Sequence, residues 1–492
     1  MDKGILRNVA INFFGLVLPT FVSLATVPSY IRLLGVERYG VISLVWTLIG
    51  YFGILDLGMS MAAQNHISKA RACGDRHESA RVFWSATWLN LTTGVIGGLI
   101  IYFGAFLYTA YFTKVSLELQ HEVYMALPWL AVAIPIANVS WVFAGAINGA
   151  ERFGIYNANQ TLGTFLFQLL PLGAALWLGA TLQNVLAAAV VARILAALLL
   201  GRSALKVLEI RSVLPPQPGV AKGLFNFGGW MLIASVTTMV ADSLDRVMLG
   251  SRLGARFVTY YTVPQNLVTR LNIVPTALVR TLFPRLSAVG RADADTITRQ
   301  SLEFLNGVFT PVALVAMLVL EPFLHLWVGH EIATVAAPVG HIMIVAVWLV
   351  GQANVTRILI QSQVNPATAA RVGLVELPLF AAALWFGIAH FGLTGAAVAV
   401  AARALFDYAV LLHCAAIRSR QIVLDMLAHL AFLLASLWLA RFLPSLVPAI
   451  AAGALMVGAN LAWSITMTPA LRTLARSLLR SLLLRLNPRK SA

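Results

Sequence analysis

The sequence predicts an all-α polytopic membrane protein with about 14 transmembrane helices. Three observations carry that prediction. Hydrophobic residues make up 59% of the 492 and charged residues only 11%, and the mean hydropathy is +0.83, above what a water-soluble chain of this length sustains. Apolar runs of about 20 residues recur from end to end, each long enough to cross a ~30 Å hydrocarbon core. None has the alternating pattern that a barrel strand requires.

Hydropathy and turn residues place the spans in order at roughly 8–33, 40–63, 82–108, 123–148, 158–179, 183–207, 224–250, 256–283, 300–323, 335–361, 369–390, 393–417, 425–443 and 446–468. The first follows Lys3 and Arg7, exceeds the core of a signal peptide and lacks a small-x-small cleavage site, so it reads as an uncleaved helix, bent at Pro19 and Pro28. Between spans 6 and 7 the Pro-rich stretch "RSVLPPQPGVAK" (211–222) cannot be helical throughout and reads as a linker. After span 14, "LRTLARSLLRSLLLRL" sets Arg472, Arg476 and Arg480 four residues apart beside leucines, the pattern of an amphipathic helix on an anionic leaflet.

Lysine and arginine total 35 against 19 acids, a balance that membrane topology explains without nucleic acid. With the N-terminus cytoplasmic, about 24 of the 35 fall in cytoplasmic segments and about six outside, so both termini read as cytoplasmic. Cys73 and Cys414 lie in a polar loop and an apolar span, no Cys/His spacing suits a metal, and no cofactor motif is present.

A shift of 219 residues lays "LLGVERYGVISL" (33–44) on "RLGARFVTYYTV" (252–263) and "HISKA" (66–70) on "RLSAV" (285–289); a shift of 210 makes Arg193 and Arg403 counterparts. Six helices separate the copies, so the halves share an orientation, as in parallel-repeat transporters. The expected division is an N-terminal six-helix lobe at 1–210, the linker at 211–222, a C-terminal six-helix lobe at 223–418, helices 13 and 14 at 419–470, and the basic cytoplasmic tail at 471–492. Two such lobes facing each other would enclose a central cavity.

Four runs, "ERYGVISLVWTLIGYFGILDLGMS" (37–60), "LDRVMLGSRLGARFVTYYTVPQNL" (244–267), "LFPRLSA" (282–288) and "GLTGAAVAVAAR" (392–403), resemble polysaccharide-biosynthesis flippases of the Wzx type. These belong to the multidrug/oligosaccharidyl-lipid/polysaccharide (MOP) exporter superfamily, and the similarity spans nearly the whole chain. The resemblance implies two lobes in a V that alternate between cytoplasmic and periplasmic openings. It implies movement of an undecaprenyl-pyrophosphate-linked oligosaccharide, a precursor of O-antigen, capsule or exopolysaccharide, across the bacterial inner membrane, alongside other polysaccharide-assembly proteins. It also implies that helices 13 and 14 hold the polyprenyl tail. Sodium, protons and the membrane potential are all open as the driving force. No P-loop pattern occurs.

Charge inside a span costs at least ~2.5–3.5 kcal/mol, so each such residue needs a cavity or a partner. Arg193 and Arg403, near the middle of spans 6 and 12, are the leading phosphate ligands, because a guanidinium fork binds phosphate oxygens in pairs; packing against carbonyls is the alternative. Arg270 with Gln265 and Asn266, and Arg357 with Gln352, Asn354 and Gln361, would make polar walls for sugar hydroxyls or else polar glue between helices. Asp242, Asp245 and Arg246 in "ADSLDRVMLG" read as a self-compensated latch near the outer mouth, with substrate or ion contact as the competing role. Asp56, between Phe52-Gly53 and Gly58, is either a cation site or a kink residue, and Glu376 is a coupling candidate without an obvious local cation. Trp46, Tyr51, Trp84, Trp88, Trp141, Trp230 and Trp348 either stack sugars or belong to belts and packing.

A cation-coupled drug exporter of the same superfamily is the nearest rival, disfavoured because the span-embedded arginines exceed the unpaired acids. A membrane-embedded polysaccharide polymerase or ligase is the rival from another class. No loop longer than about 20 residues is available to house a catalytic module, and no catalytic constellation converges, so the chain reads as no enzyme.

Overall fold

The structure, a computed structural model, describes residues 25–46, 59–111, 116–217, 240–287, 289–363, 366–417, 419–443 and 445–467, together with 22, 219 and 472. Every regular element among them is helical, as expected for the all-α polytopic class. In chain order these are α1 (25–46), α2 (Met59–Ala72), α3 (Arg76–Tyr111), α4 (Leu117–Gly149), α5 (Phe153–Trp177), α6 (Leu182–Val207), α7 (240–252) and α8 (Ala255–Val268). A 3-10 turn, Thr269–Asn272, separates α8 from α9 (Ile273–Ser287). The chain continues through α10 (Arg291–Val328), α11 (His330–Gln363), α12 (Pro366–Cys414), α13 (Arg420–Ala440) and α14 (Leu446–Met467). Eight helices among the described residues are long and apolar enough to cross a membrane. Spans 11 and 12 fall in the single element α12, which folds back at Gly392 (φ +58).

By their contacts the residues form two compact units, Met1–Thr259 and Tyr260–Ala492. Within the first, glycines four apart bring helices together, since lipid offers no hydrophobic drive for association and close backbone approach must supply it. A Cβ on Gly94 or Gly98 of α3 would come within 2.6 Å of Pro135 or Ala131 of α4, and one on Gly145 or Gly149 of α4 would come equally close to Ser60 or Gln64 of α2. Phe83, Val142, Ile147 and Ala204 fill the resulting core. The outer face of α3 instead exposes Val95, Ile96, Leu99, Ile100 and Phe103, as a lipid-facing helix would.

Segment 211–217 carries no helix and is strapped onto α3. The indole N–H groups of Trp84 and Trp88 donate to the carbonyls of Ser212 and Leu214 at 2.9 and 3.1 Å, and the Gln217 N–H donates to Ser85 Oγ. Those two tryptophans, candidates for sugar stacking, therefore spend their polar edges on the linker. Trp348 lies in the core of the second unit and donates to Thr310 at 3.0 Å.

The repeat has a structural counterpart. Gly35 and Gly254, equivalent under the 219-residue shift, both take left-handed backbone (φ +81 and +101), which a residue without Cβ adopts at no steric cost. A Cβ on Gly40 would drive into the Ala255 carbonyl and approach Thr259 Oγ1 to 2.9 Å, while Thr259 Oγ1 donates to the Val36 carbonyl at 2.6 Å. Residues 36 and 40 are the equivalents of 255 and 259, so the contact is reciprocal. Each copy presents a carbonyl to the side-chain position of the other.

Three helices end without glycine in the reversing position. Glu151, Glu209 and Ala416 take φ of +58, +58 and +55, and each is followed by a residue whose N–H reaches five positions back, the Schellman pattern. Ala416 has no charged side chain to complicate a substitution. Ala416→Gly is expected to stabilise the protein by about 1 kcal/mol through relief of the left-handed penalty, seen as a higher melting temperature in detergent.

Candidate functional site

The second unit gathers four ionisable residues from the interiors of two helices. Arg357 comes from α11; Glu376 comes from the first half of α12, and Arg403 and Asp407 from the half after the Gly392 reversal. Gly387 and Gly395 allow that reversal to be tight, because either Cβ would meet the other residue's backbone. Arg357 binds Asp407 at 2.6 Å, and Arg403 Nε stands 3.7 Å from Glu376 Oε2 with its guanidinium 4.8 Å above the Phe380 ring. The carboxylates are buried, at 3% and 7% exposure, and the arginines half-buried. Formal charge across the cluster is zero. Glu376 Oε1 and Asp407 Oδ1 are nevertheless buried without a donor, so the cluster has unused capacity to accept hydrogen bonds.

Two expectations change here. Glu376, which lacks a cation near it in sequence, receives Arg403 from the other side of the Gly392 fold. Arg357 and Arg403 are charge-balanced by carboxylates, so the excess of span-embedded cations over acids is smaller than the sequence count implied.

Arg193 has a different setting, in the first unit. α6 contains no acidic residue, and the guanidinium lies 4.7 Å over the Phe167 ring of α5, beside an apolar depression lined by Trp129, Leu186 and Val190. Its Nε is buried with no hydrogen-bond partner. A guanidinium over an aromatic face, with its Nε unpartnered among the described residues, has a donor left for an incoming oxyanion.

The remaining candidates are dispersed. Arg270 sits exposed at the 3-10 break, with Asn266 also exposed and Gln265 half-buried one turn earlier. Asn354 and Gln361 are half-buried on α11. Gln352 is fully buried, and its amide donates to Asn306 at 2.7 Å, so its side chain ties α11 to α10. On α7, Asp242 is exposed whereas Asp245 is buried and accepts the Arg246 N–H at 2.8 Å. Asp56, Tyr51 and Trp230 lie outside the described residues, as does nearly all of the basic tail.

A polar chain that sequence reading missed runs through four helices of the second unit. From Gln352 and Asn306 it continues to Asp425 on α13, which accepts from the Asn306 amide at 2.6 Å. His429 contacts Asp425 through Nδ1 and Ser464 of α14 through Nε2 at 3.1 Å, and Ser464 donates to the Asn460 carbonyl. Only Asp425 and His429, four apart on α13, could have signalled it. This chain ties α13 and α14 to α10 and α11. Asp425→Ala would strand the Asn306 amide in the interior, with an expected loss of about 2 kcal/mol, while His429 keeps the backbone carbonyl of residue 425 and Ser464. A melting temperature equal to wild type would refute that role.

Comparison with known proteins adds the following. Residues 5–289 match the model of a family described as polysaccharide biosynthesis protein. A Shigella flexneri protein proposed to be an O-antigen transporter is 26% identical over 416 residues, covering 82% of this chain and 96% of that one. Among solved structures, the lipid II flippase MurJ in an inward closed conformation matches with a TM-score of 0.73 at 12% identity, over 96% of this chain and all of that one. An inward-facing multidrug resistance MATE family transporter of the MOP superfamily matches with a TM-score of 0.69 at 15% identity, over 83% and 95%. At such identities the structural matches speak to fold.

Proposed function

The chain belongs to the polysaccharide biosynthesis protein family and is a multi-pass membrane transporter, not an enzyme; from that premise we propose that it flips a lipid-linked oligosaccharide. The substrate is an undecaprenyl-pyrophosphate-linked repeat unit, moved from the cytoplasmic to the periplasmic leaflet of a bacterial inner membrane by alternating access of two repeated halves, with both termini cytoplasmic. The relative proposed to transport O-antigen supports the substrate class.

The observation that carries the reading is the placement of guanidinium groups inside membrane spans. Arg193, over Phe167 on a helix without acids, offers an anion site in the first half. Arg357 and Arg403 are already matched to carboxylates, and a pyrophosphate is a stronger multivalent acceptor that exchanges with Asp407 and Glu376 for them. In this mechanism the acids act as stand-ins for the headgroup, keeping the arginines neutralised while no substrate is present. A drug exporter shares the fold, but Glu376 and Asp407 are each matched to an arginine and so offer a cationic drug no net negative charge.

The test is a proteoliposome assay of a fluorescent lipid-pyrophosphate oligosaccharide. Arg193→Ala is expected to slow flipping by roughly ten- to a hundredfold, the loss of one charge-assisted contact of ~1.5–3 kcal/mol, with Arg193→Lys intermediate. Transport at the wild-type rate in Arg193→Ala would remove that site, and absence of flipping by the wild type would remove the function.

A further inference from the structure

The hairpin between α10 and α11 holds two imidazoles in contact, away from every residue invoked above. Gly329, in left-handed backbone at φ +91, turns the chain so that His330, the first residue of α11, lies against His325 of α10. Their ring centroids are 4.8 Å apart with planes at 24°, and the two Nδ1 atoms are 3.1 Å apart. The two Nδ1 atoms are therefore the near corners of the near-parallel pair of rings. One helical turn back, Glu321 Oε1 lies 3.8 Å from His325 Nε2.

That carboxylate favours a hydrogen on Nε2 of His325, which leaves the Nδ1 lone pair turned toward His330. Neighbouring ligands on a tetrahedral ion with bonds of ~2.0–2.1 Å stand about 3.3–3.4 Å apart, within a few tenths of an ångström of the 3.1 Å between these nitrogens. We propose that His325 and His330 chelate one divalent transition-metal ion of the zinc, nickel or copper type through their Nδ1 atoms, with Glu321 orienting His325 from behind. Imidazole pairs select such ions over magnesium or calcium, which take oxygen ligands. Groups of three or more candidate ligands are absent among the described residues, so water completes the coordination. An ion held there pins the first residue of α11 to the last turns of α10.

The experiment is calorimetric titration of zinc and of nickel into the full-length, detergent-solubilised protein carrying no polyhistidine tag. One ion per chain is expected for the wild type. His325→Ala and His330→Ala each weaken binding about tenfold or more, Glu321→Gln weakens it several-fold, and His390→Ala leaves it unchanged. Melting curves without metal confirm that the variants are folded, and added zinc raises the melting temperature of the wild type and of His390→Ala, less that of Glu321→Gln, and least that of the two histidine variants. Lack of binding by the wild type, or binding that survives His330→Ala, overturns the proposal.

Discussion

Arg357→Ala is expected to abolish transport and to cost about 3–5 kcal/mol of stability, the larger part of it from what the substitution leaves behind. Asp407 is 7% exposed and loses the partner at 2.6 Å, while its neighbour Glu376 is buried as well, so two carboxylates would share Arg403. The double substitution Arg357→Ala/Asp407→Ala removes the stranded charge. It is therefore expected to melt above the Arg357→Ala single variant, with a coupling of 1–3 kcal/mol in the double-mutant cycle. Transport separates the two roles of the arginine. If Arg357 serves only to neutralise Asp407, flipping returns with stability in the double variant; if it also meets the headgroup, stability returns and flipping stays at least about 100-fold down. A single variant that melts and transports like wild type would remove Arg357 from both roles.

Gly40→Ala is expected to force apart the contact between the two repeat segments. The added Cβ would overlap the Ala255 carbonyl, a backbone atom held by its own helix and unable to rotate away as a side-chain tip would. Ala255 is 1% exposed, so an Ala255→Cys reporter, in a protein whose Cys73 and Cys414 are replaced by serine, measures the separation. Its reaction with a water-soluble maleimide should be slow, and Gly40→Ala should raise the rate about tenfold or more. Thr259→Val, which replaces the hydroxyl that donates to Val36 at 2.6 Å by a methyl, should raise it a few-fold, in line with ~1 kcal/mol. Equal rates in all three proteins would show that this contact does not bury the reporter.

Hydropathy made the helices legible because a membrane leaves the backbone few alternatives. It did not reveal where helices break or run on. The 3-10 turn at Thr269–Asn272 interrupts span 8, and α10 starts at Arg291, well before the apolar run, since polar turns can extend a helix beyond the membrane. The ionised cluster was half legible. Arg357, Arg403 and Glu376 were conspicuous as charges in apolar surroundings, but the Arg403–Glu376 pairing depends on the fold at Gly392 and the Arg357–Asp407 pairing on the packing of α11 against α12. No residue spacing encodes either. The Asn306–Asp425–His429 chain was illegible for the same reason, since Asn306 and Asp425 lie 119 positions apart and each alone is an ordinary polar residue.

The reciprocal contact of residues 36 and 40 with 259 and 255 sets a glycine opposite one carbonyl and a threonine opposite the other. In a symmetric pair the same residue would face the same carbonyl twice, and any change would strike both sides together. Here the two equivalent positions differ, one being glycine and the other threonine. A chimaera of two first copies would bring glycine to both sides and forfeit the hydrogen bond, whereas two second copies would bring threonine to both, where the present chain has room for a side chain on one side only. The two positions are therefore not interchangeable, although the 219-residue shift equates them.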